Sequence, residues 1–131
     1  MKMVTKRGGK DARMPEKGQI VFAHYTGKLE NGTVFDSSRG KPHRVMGFYF
    51  QLGNKEVIDG WDVGIASMRI GESATFKIRA DYGYGSKGIP GMIPPNATLL
   101  FDIELLDARR VSSEERAALD RKVSELRRTR R

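Results

Sequence analysis

Residues Glu56 to Met68 read EVIDGWDVGIASM, and their spacing decides the fold. Val57, Trp61, Ile65 and Met68 recur at helical intervals, so four large apolar side chains share one stripe, the only tryptophan among them. The spacing predicts a helix over this stretch. A single short amphipathic helix must dock its stripe on a sheet, because neither element can bury its apolar side alone. Trp61 would then lie between helix and sheet.

The flanking sequence reads as strand and turn. Gln19 to Leu29, QIVFAHYTGKL, is rich in aromatic and β-branched residues. Asn31-Gly32 follows as a hairpin signal of type I′, with Val34-Phe35 as the returning strand. Phe48 to Gly53 predicts a short strand before the helix. In ESATFKIRA, residues Ala74, Phe76, Ile78 and Ala80 alternate with polar neighbours, and in TLLFDIELL the buried set is Leu99, Phe101, Ile103 and Leu105. Between these strands DYGYGSKGIPGMIPPN is too rich in glycine and proline for helix or central strand, and a loop of that length is commonly functional. The fold class expected is α+β, a twisted antiparallel sheet wrapped around one short helix.

With 131 residues the chain is long enough for one domain with ends, and it has no cysteine for a disulfide, a thiolate nucleophile or a cysteine metal site. His24 and His43 lack partners for a metal-ligand set, so no metal or cofactor is expected. No run approaches membrane-spanning length. The expected compartment is the cytoplasm, with the nucleus left open by the basic tail. The net charge of +8 sits on the ends: residues 1–17 have six basic and two acidic groups, residues 18–108 nine and ten, and residues 109–131 nine and four. A basic recognition face on the domain is therefore unsupported, and nucleic acid is a disfavoured partner. Three segments follow: a loosely ordered basic lead-in at 1–17, a globular unit at 18–108 and a basic tail at 109–131. In the tail Ser112 and Glu115 fit a capping box, and the spacing of Leu119, Val123 and Leu126 predicts a second helix from about Ser113 to Arg128.

Two motifs do not survive their context. Gly83 to Gly88 matches G-x-G-x-x-G, but the prolines that follow forbid the helix whose N-terminus would meet a phosphate. Asp36-Ser37-Ser38 lacks a nucleophile elbow and reads as a turn at a strand end.

Five stretches in order carry a more specific signal: His24-Tyr25-Thr26-Gly27, Val34 to Ser38, Glu56 to Asp62, Tyr82 to Gly85, and Ile93 to Leu99. Together they resemble the FK506-binding-protein family of peptidyl-prolyl cis–trans isomerases over roughly Gly18 to Leu106. The resemblance implies a pocket with Trp61 as floor and Tyr25, Phe35, Phe48 and Phe101 as walls. Phe50 competes with Phe48, because the 39–47 segment leaves the register open. Tyr84 and Asp36 would form a polar rim, and Val57, Ile58 and Ile93 would complete the lining. The Ile58 N–H would donate to a substrate carbonyl, Ile89 would touch the ligand from above, and Glu56 falls on the same binding stretch. The resemblance also implies proline-containing peptides and proteins as substrates, and the macrolides FK506 and rapamycin as ligands. A different class of function, a binding module that holds protein partners on the pocket rim, would place the work in the Gly/Pro loop and residues 39–47.

Overall fold

The computed structural model describes residues 1–8, 12–40 and 47–129, with side chains to residue 127. Among the described residues six strands and two α-helices run in the order β1 (Lys2–Lys6), β2 (Ile20–Leu29), β3 (Val34–Ser37), β4 (Phe48–Gln51), α1 (Asp59–Ala66), β5 (Ser73–Ile78), β6 (Leu99–Arg109) and α2 (Ser113–Thr129). The sheet order is β1-β5-β6-β2-β3, and β4 also pairs with β2. Every pairing is antiparallel. The long strand β2 organises the sheet: β6 runs along one edge from Ile20↔Arg109 to Leu29↔Leu99, while β4 and β3 share the other. The register shifts between Phe22 and Ala23, which face Asp107 and Leu105, so β6 carries the extra residue of a bulge at Leu106.

The period-2 pattern predicts the inner face correctly. Ala74, Phe76, Ile78, Leu99, Phe101, Ile103 and Leu105 are all buried in one cluster with Trp61, Ile65 and Met68. Two glycines let α1 settle onto β5. A Cβ at Gly60 would stand 2.7 Å from Ile78 Cγ2, and one at Gly64 would stand 2.9 Å from Phe76 Cε1. Asp59 and Asp62 sit in the first turn, where they complement the helix dipole. Asp62 Oδ1 also accepts the Gly53 N–H at 2.8 Å, tying the preceding loop to the helix.

Several expectations are corrected. The helix begins at Asp59 rather than Glu56, with Ile58 extended at the N-cap, so Val57 stands outside it. β5 ends at Ile78, and Ala80 enters a 3₁₀ turn, Ala80–Tyr82. The hairpin is not type I′. Among its tip residues Gly32 alone has positive φ, at 90°, its N–H donates to Leu29 O, and Asn31 Oδ1 accepts the Thr33 N–H. The lead-in is not loose throughout: Lys2–Lys6 extends the sheet edge along β5, and Lys2 Nζ pairs with the buried Glu72 carboxylate at 2.9 Å. Residues 41–46, the middle of the irregular 39–47 segment, lie outside the described residues.

The tail helix forms with its capping box reciprocally satisfied, Glu115 N–H to Ser112 Oγ and Ser112 N–H to Glu115 Oε1, each at 3.1 Å. Its first turns rest on the outer face of the sheet. The Arg116 guanidinium lies 5.4 Å from the Tyr49 ring centroid, and the Tyr49 hydroxyl donates to Asp120 Oδ1 at 2.7 Å. Among the described residues no helix is long and apolar enough to cross a membrane.

Candidate active site

The strands and α1 converge on a pocket of about 280 Å³. β2 contributes Tyr25, β3 Phe35 and Asp36, β4 Phe48, and β6 Phe101. The approach to α1 contributes Glu56, Val57 and Ile58, the helix itself Trp61, and the Gly/Pro loop Tyr84. Trp61 is only 4% exposed, yet it faces this opening rather than being sealed beneath it. Tyr25, Phe48 and Phe101 meet the indole with centroids at 4.9, 5.8 and 5.3 Å and interplanar angles of 79°, 84° and 89°. Floor and walls are therefore set at near right angles. Each such edge-to-face pair adds about 0.5–1.5 kcal/mol beyond its buried area, which makes the pocket stiff.

Phe48 and Phe50 lie on the same face of β4 and differ in how far along it they sit. Phe48 pairs with Ala23 and lines the pocket, whereas Phe50, two residues on, is 1% exposed and packs in the core. Ile93 is also a core residue, 3% exposed, and Ile89 packs against the same cluster. These two are joined by paired backbone hydrogen bonds, Ile89 N–H to Ile93 O at 2.8 Å and the reverse at 2.7 Å. Neither is among the residues lining this pocket.

The polar groups are few and held in place. The Tyr25 hydroxyl donates to Asp36 Oδ2 at 2.6 Å, and the Ser37 N–H donates to Asp36 Oδ1 at 2.8 Å. Burial, with the Asp36 carboxylate adding to it, pushes the Tyr84 phenol above its ordinary value of 10.0, so at neutral pH Tyr84 is a protonated donor. The Ile58 N–H precedes the helix and donates to no described residue. Among the described residues no group of histidines and carboxylates is placed to hold a metal ion. Residues 83–88 run through turns and do not open a helix.

Two supporting residues are not legible as such in the sequence. Ser38 is fully buried: its Oγ accepts the Tyr25 N–H at 2.9 Å, its own N–H donates to Tyr25 O at 3.0 Å, and His24 Nδ1 lies 2.9 Å from the hydroxyl. It fixes the backbone that aims Tyr25. Gly27 lies directly under two walls, since a Cβ there would stand 2.6 Å from Phe35 Cζ and 2.8 Å from Phe101 Cε1. A serine next to a turn and a glycine in a strand have no one-dimensional signature for either role.

Residues 11–106 match the family described as FKBP-type peptidyl-prolyl cis-trans isomerase. The chain belongs to this family. FK506-binding protein 1 of Saccharomyces cerevisiae is 51% identical over 100 residues, covering 75% of this chain and 83% of that protein. A peptidyl-prolyl cis-trans isomerase of Drosophila melanogaster is 51% identical over 100 residues, covering 75% of this chain and 88% of its own length. FK506-binding protein 1 of Yarrowia lipolytica is 52% identical over 94 residues, with 70% and 82% covered. The FKBP-type chain described here is thus a peptidyl-prolyl cis–trans isomerase with the expected sheet-and-helix fold. Its match ends at Leu106, before the tail helix.

Proposed function

We propose that the pocket over Trp61 is where this isomerase works, by binding the twisted X-Pro amide more tightly than the planar one. The observation that carries the reading is the indole floor with three rings near perpendicular to it, beside an Ile58 N–H that donates to no described residue. Rotation about an X-Pro bond is opposed by ~18–20 kcal/mol of lost resonance. The twisted amide is less charge-separated than the planar one, so moving it from water to a dry aromatic site favours it. Lowering the barrier by about 5 kcal/mol gives a several-thousand-fold acceleration. No nucleophile or proton relay is required, only a transition state bound better than the ground state.

In this reading the prolyl ring stacks on Trp61 between Tyr25, Phe35, Phe48 and Phe101, and Val57 closes one side. The Ile58 N–H and Tyr84 hydroxyl hold substrate carbonyls. Asp36, fixed by Tyr25, directs a carboxylate dipole at the amide, Glu56 edges the mouth, and Ile89 and Ile93 keep the Gly/Pro loop closed beside it. Residues 18–108 form the isomerase unit and 109–131 an appended helix. The substrates are proline-containing peptides and proteins whose folding or switching waits on this bond. FK506 and rapamycin occupy the same pocket, and the names of the yeast relatives support the FK506 part of this reading. The cytoplasm is the proposed compartment, with the nucleus as the alternative that the basic tail allows.

Exposed Met92 at the tip of the Gly/Pro loop favours a second reading, in which protein partners dock on the rim and turnover is incidental. A protease-coupled isomerisation assay separates the two. Trp61→Leu is expected to lower kcat/KM more than tenfold and FK506 to abolish turnover. If Trp61→Leu keeps full turnover, the pocket is not the catalytic site. Loss of cellular function in Ile89→Lys with turnover intact would favour rim docking instead.

A further inference from the structure

The tail helix reaches back to the mouth of the pocket through one residue. Arg116 Nη2 lies 3.0 Å from Glu56 Oε1 and Nη1 3.4 Å from Oε2, while its Nε lies 3.3 Å from Asp120 Oδ1. The Tyr49 ring beneath the guanidinium and the Tyr49 bond to Asp120 hold the arrangement in place. The Glu56 carboxylate also accepts the Gln51 N–H at 3.3 Å and Asn54 Nδ2 at 3.2 Å, but these donors are neutral. The pair is sheltered without being dry, with side chains 29% and 27% exposed.

The charge pattern of the mouth makes this contact informative. Among its described lining residues the carboxylic acids are Asp36 and Glu56, and none is a lysine or arginine. Asp36 accepts from the Tyr25 phenol and the Ser37 backbone amide. At Glu56 the opposing charge comes from Arg116, outside the isomerase unit. Burial alone would raise the Glu56 carboxyl, yet the hydrogen bonds from Arg116, Asn54 and Gln51 outweigh it and hold the group below its ordinary value. At neutral pH the pair is fully ionised, and the acid and base cancel at the rim.

We propose that Arg116 is a specificity-determining residue for the isomerase: by neutralising Glu56 it lets the pocket accept peptides with an acidic residue beside the proline. The inference rests on the pocket over Trp61 being the prolyl site. A substrate threading across the mouth sets the side chain before its proline near Glu56. An unopposed carboxylate there repels an acidic neighbour and attracts a basic one, whereas the paired form is nearly indifferent.

The test uses two peptides that are identical except for Glu or Lys immediately before proline. For Arg116→Gln the ratio of kcat/KM, Lys peptide over Glu peptide, is expected to rise roughly threefold, the size of one partly exposed charge interaction. Most of that rise should disappear in about 1 M salt, where the Debye length falls to ~3 Å. Arg116→Lys, which keeps the charge, should stay near the parent ratio. The double variant Arg116→Gln/Glu56→Gln should return to it as well, because it removes both charges. A merely structural role for Arg116 lowers both peptides alike, so an unchanged ratio in Arg116→Gln with measurable turnover overturns the proposal and leaves the prolyl site standing. If Trp61→Leu does not alter turnover of either peptide, the prolyl-site reading fails first and this one with it.

Discussion

Gly27 shows how much of the pocket depends on an atom that is absent. The Phe35 and Phe101 rings meet at 5.5 Å and 89° directly above its backbone, in the space a Cβ would take. Rings are rigid and cannot yield by a rotamer change at their tips, so Gly27→Ala must move a wall or the strand. The expected outcome is a stability loss of about 1–3 kcal/mol by chemical denaturation, the usual size of core overpacking. A raised KM for proline peptides should accompany it, because the displaced wall is Phe35. A gain in stability, as alanine usually gives over glycine in a strand, would show that the rings are not seated as described. Trp61 and Tyr25 were legible as residues from their place in ordered motifs. Ser38 and Gly27 were not, because what they do is decided by neighbours eight to seventy-four positions away.

Among the elements, α2 departs furthest from what its sequence suggests. Its capping box and periodicity predict a helix, and the helix is there. The thin apolar stripe gives no hint of where the helix rests, because Arg116 sets it by lying against the Tyr49 ring and pairing with Glu56. That contact has a pH dependence of known sign. The Glu56 carboxyl in the docked helix lies below its ordinary value of 4.5, so the undocked form binds the proton more readily. The contribution of the pair to docking is complete above pH 4.5 and is lost as the pH falls through the lower, docked value. An NMR titration of the Glu56 carboxyl should find a midpoint below 4.5, with the Arg116–Tyr49 contacts disappearing over the same range. Arg116→Gln should move that midpoint upward. A midpoint unaffected by the substitution would mean that the guanidinium does not engage Glu56 in solution.

Across the whole molecule, the sheet edge and the pocket are separate. β1 pairs only with β5, and no residue of 1–8 lines the pocket. Its anchor is the Lys2 ammonium on Glu72, a residue 6% exposed. Lys2→Met leaves a buried carboxylate without its cation, and a loss of about 1–3 kcal/mol is expected from unpairing such a group. Thermal unfolding should register it while kcat/KM stays within twofold of the parent. A matching fall in turnover of the folded protein would couple the edge strand to the site and contradict that separation. The excess charge obeys the same division, since the nearly neutral middle of the chain builds the pocket and both basic ends are added to its outside.

The amino-acid sequence by itself determined the class of fold, the inner faces of β5 and β6, the helix bearing Trp61 and the order of motifs that marks the family. Those properties are written in short-range spacing, where a period of 2 or 3.6 states which side chains share a face. Only the tertiary structure decided between Phe48 and Phe50, shortened α1, turned the lead-in into an edge strand and brought Arg116 to Glu56. Each of these depends on register or on a contact across tens of residues, and such contacts are selected by which surfaces meet once the sheet has closed on its helix.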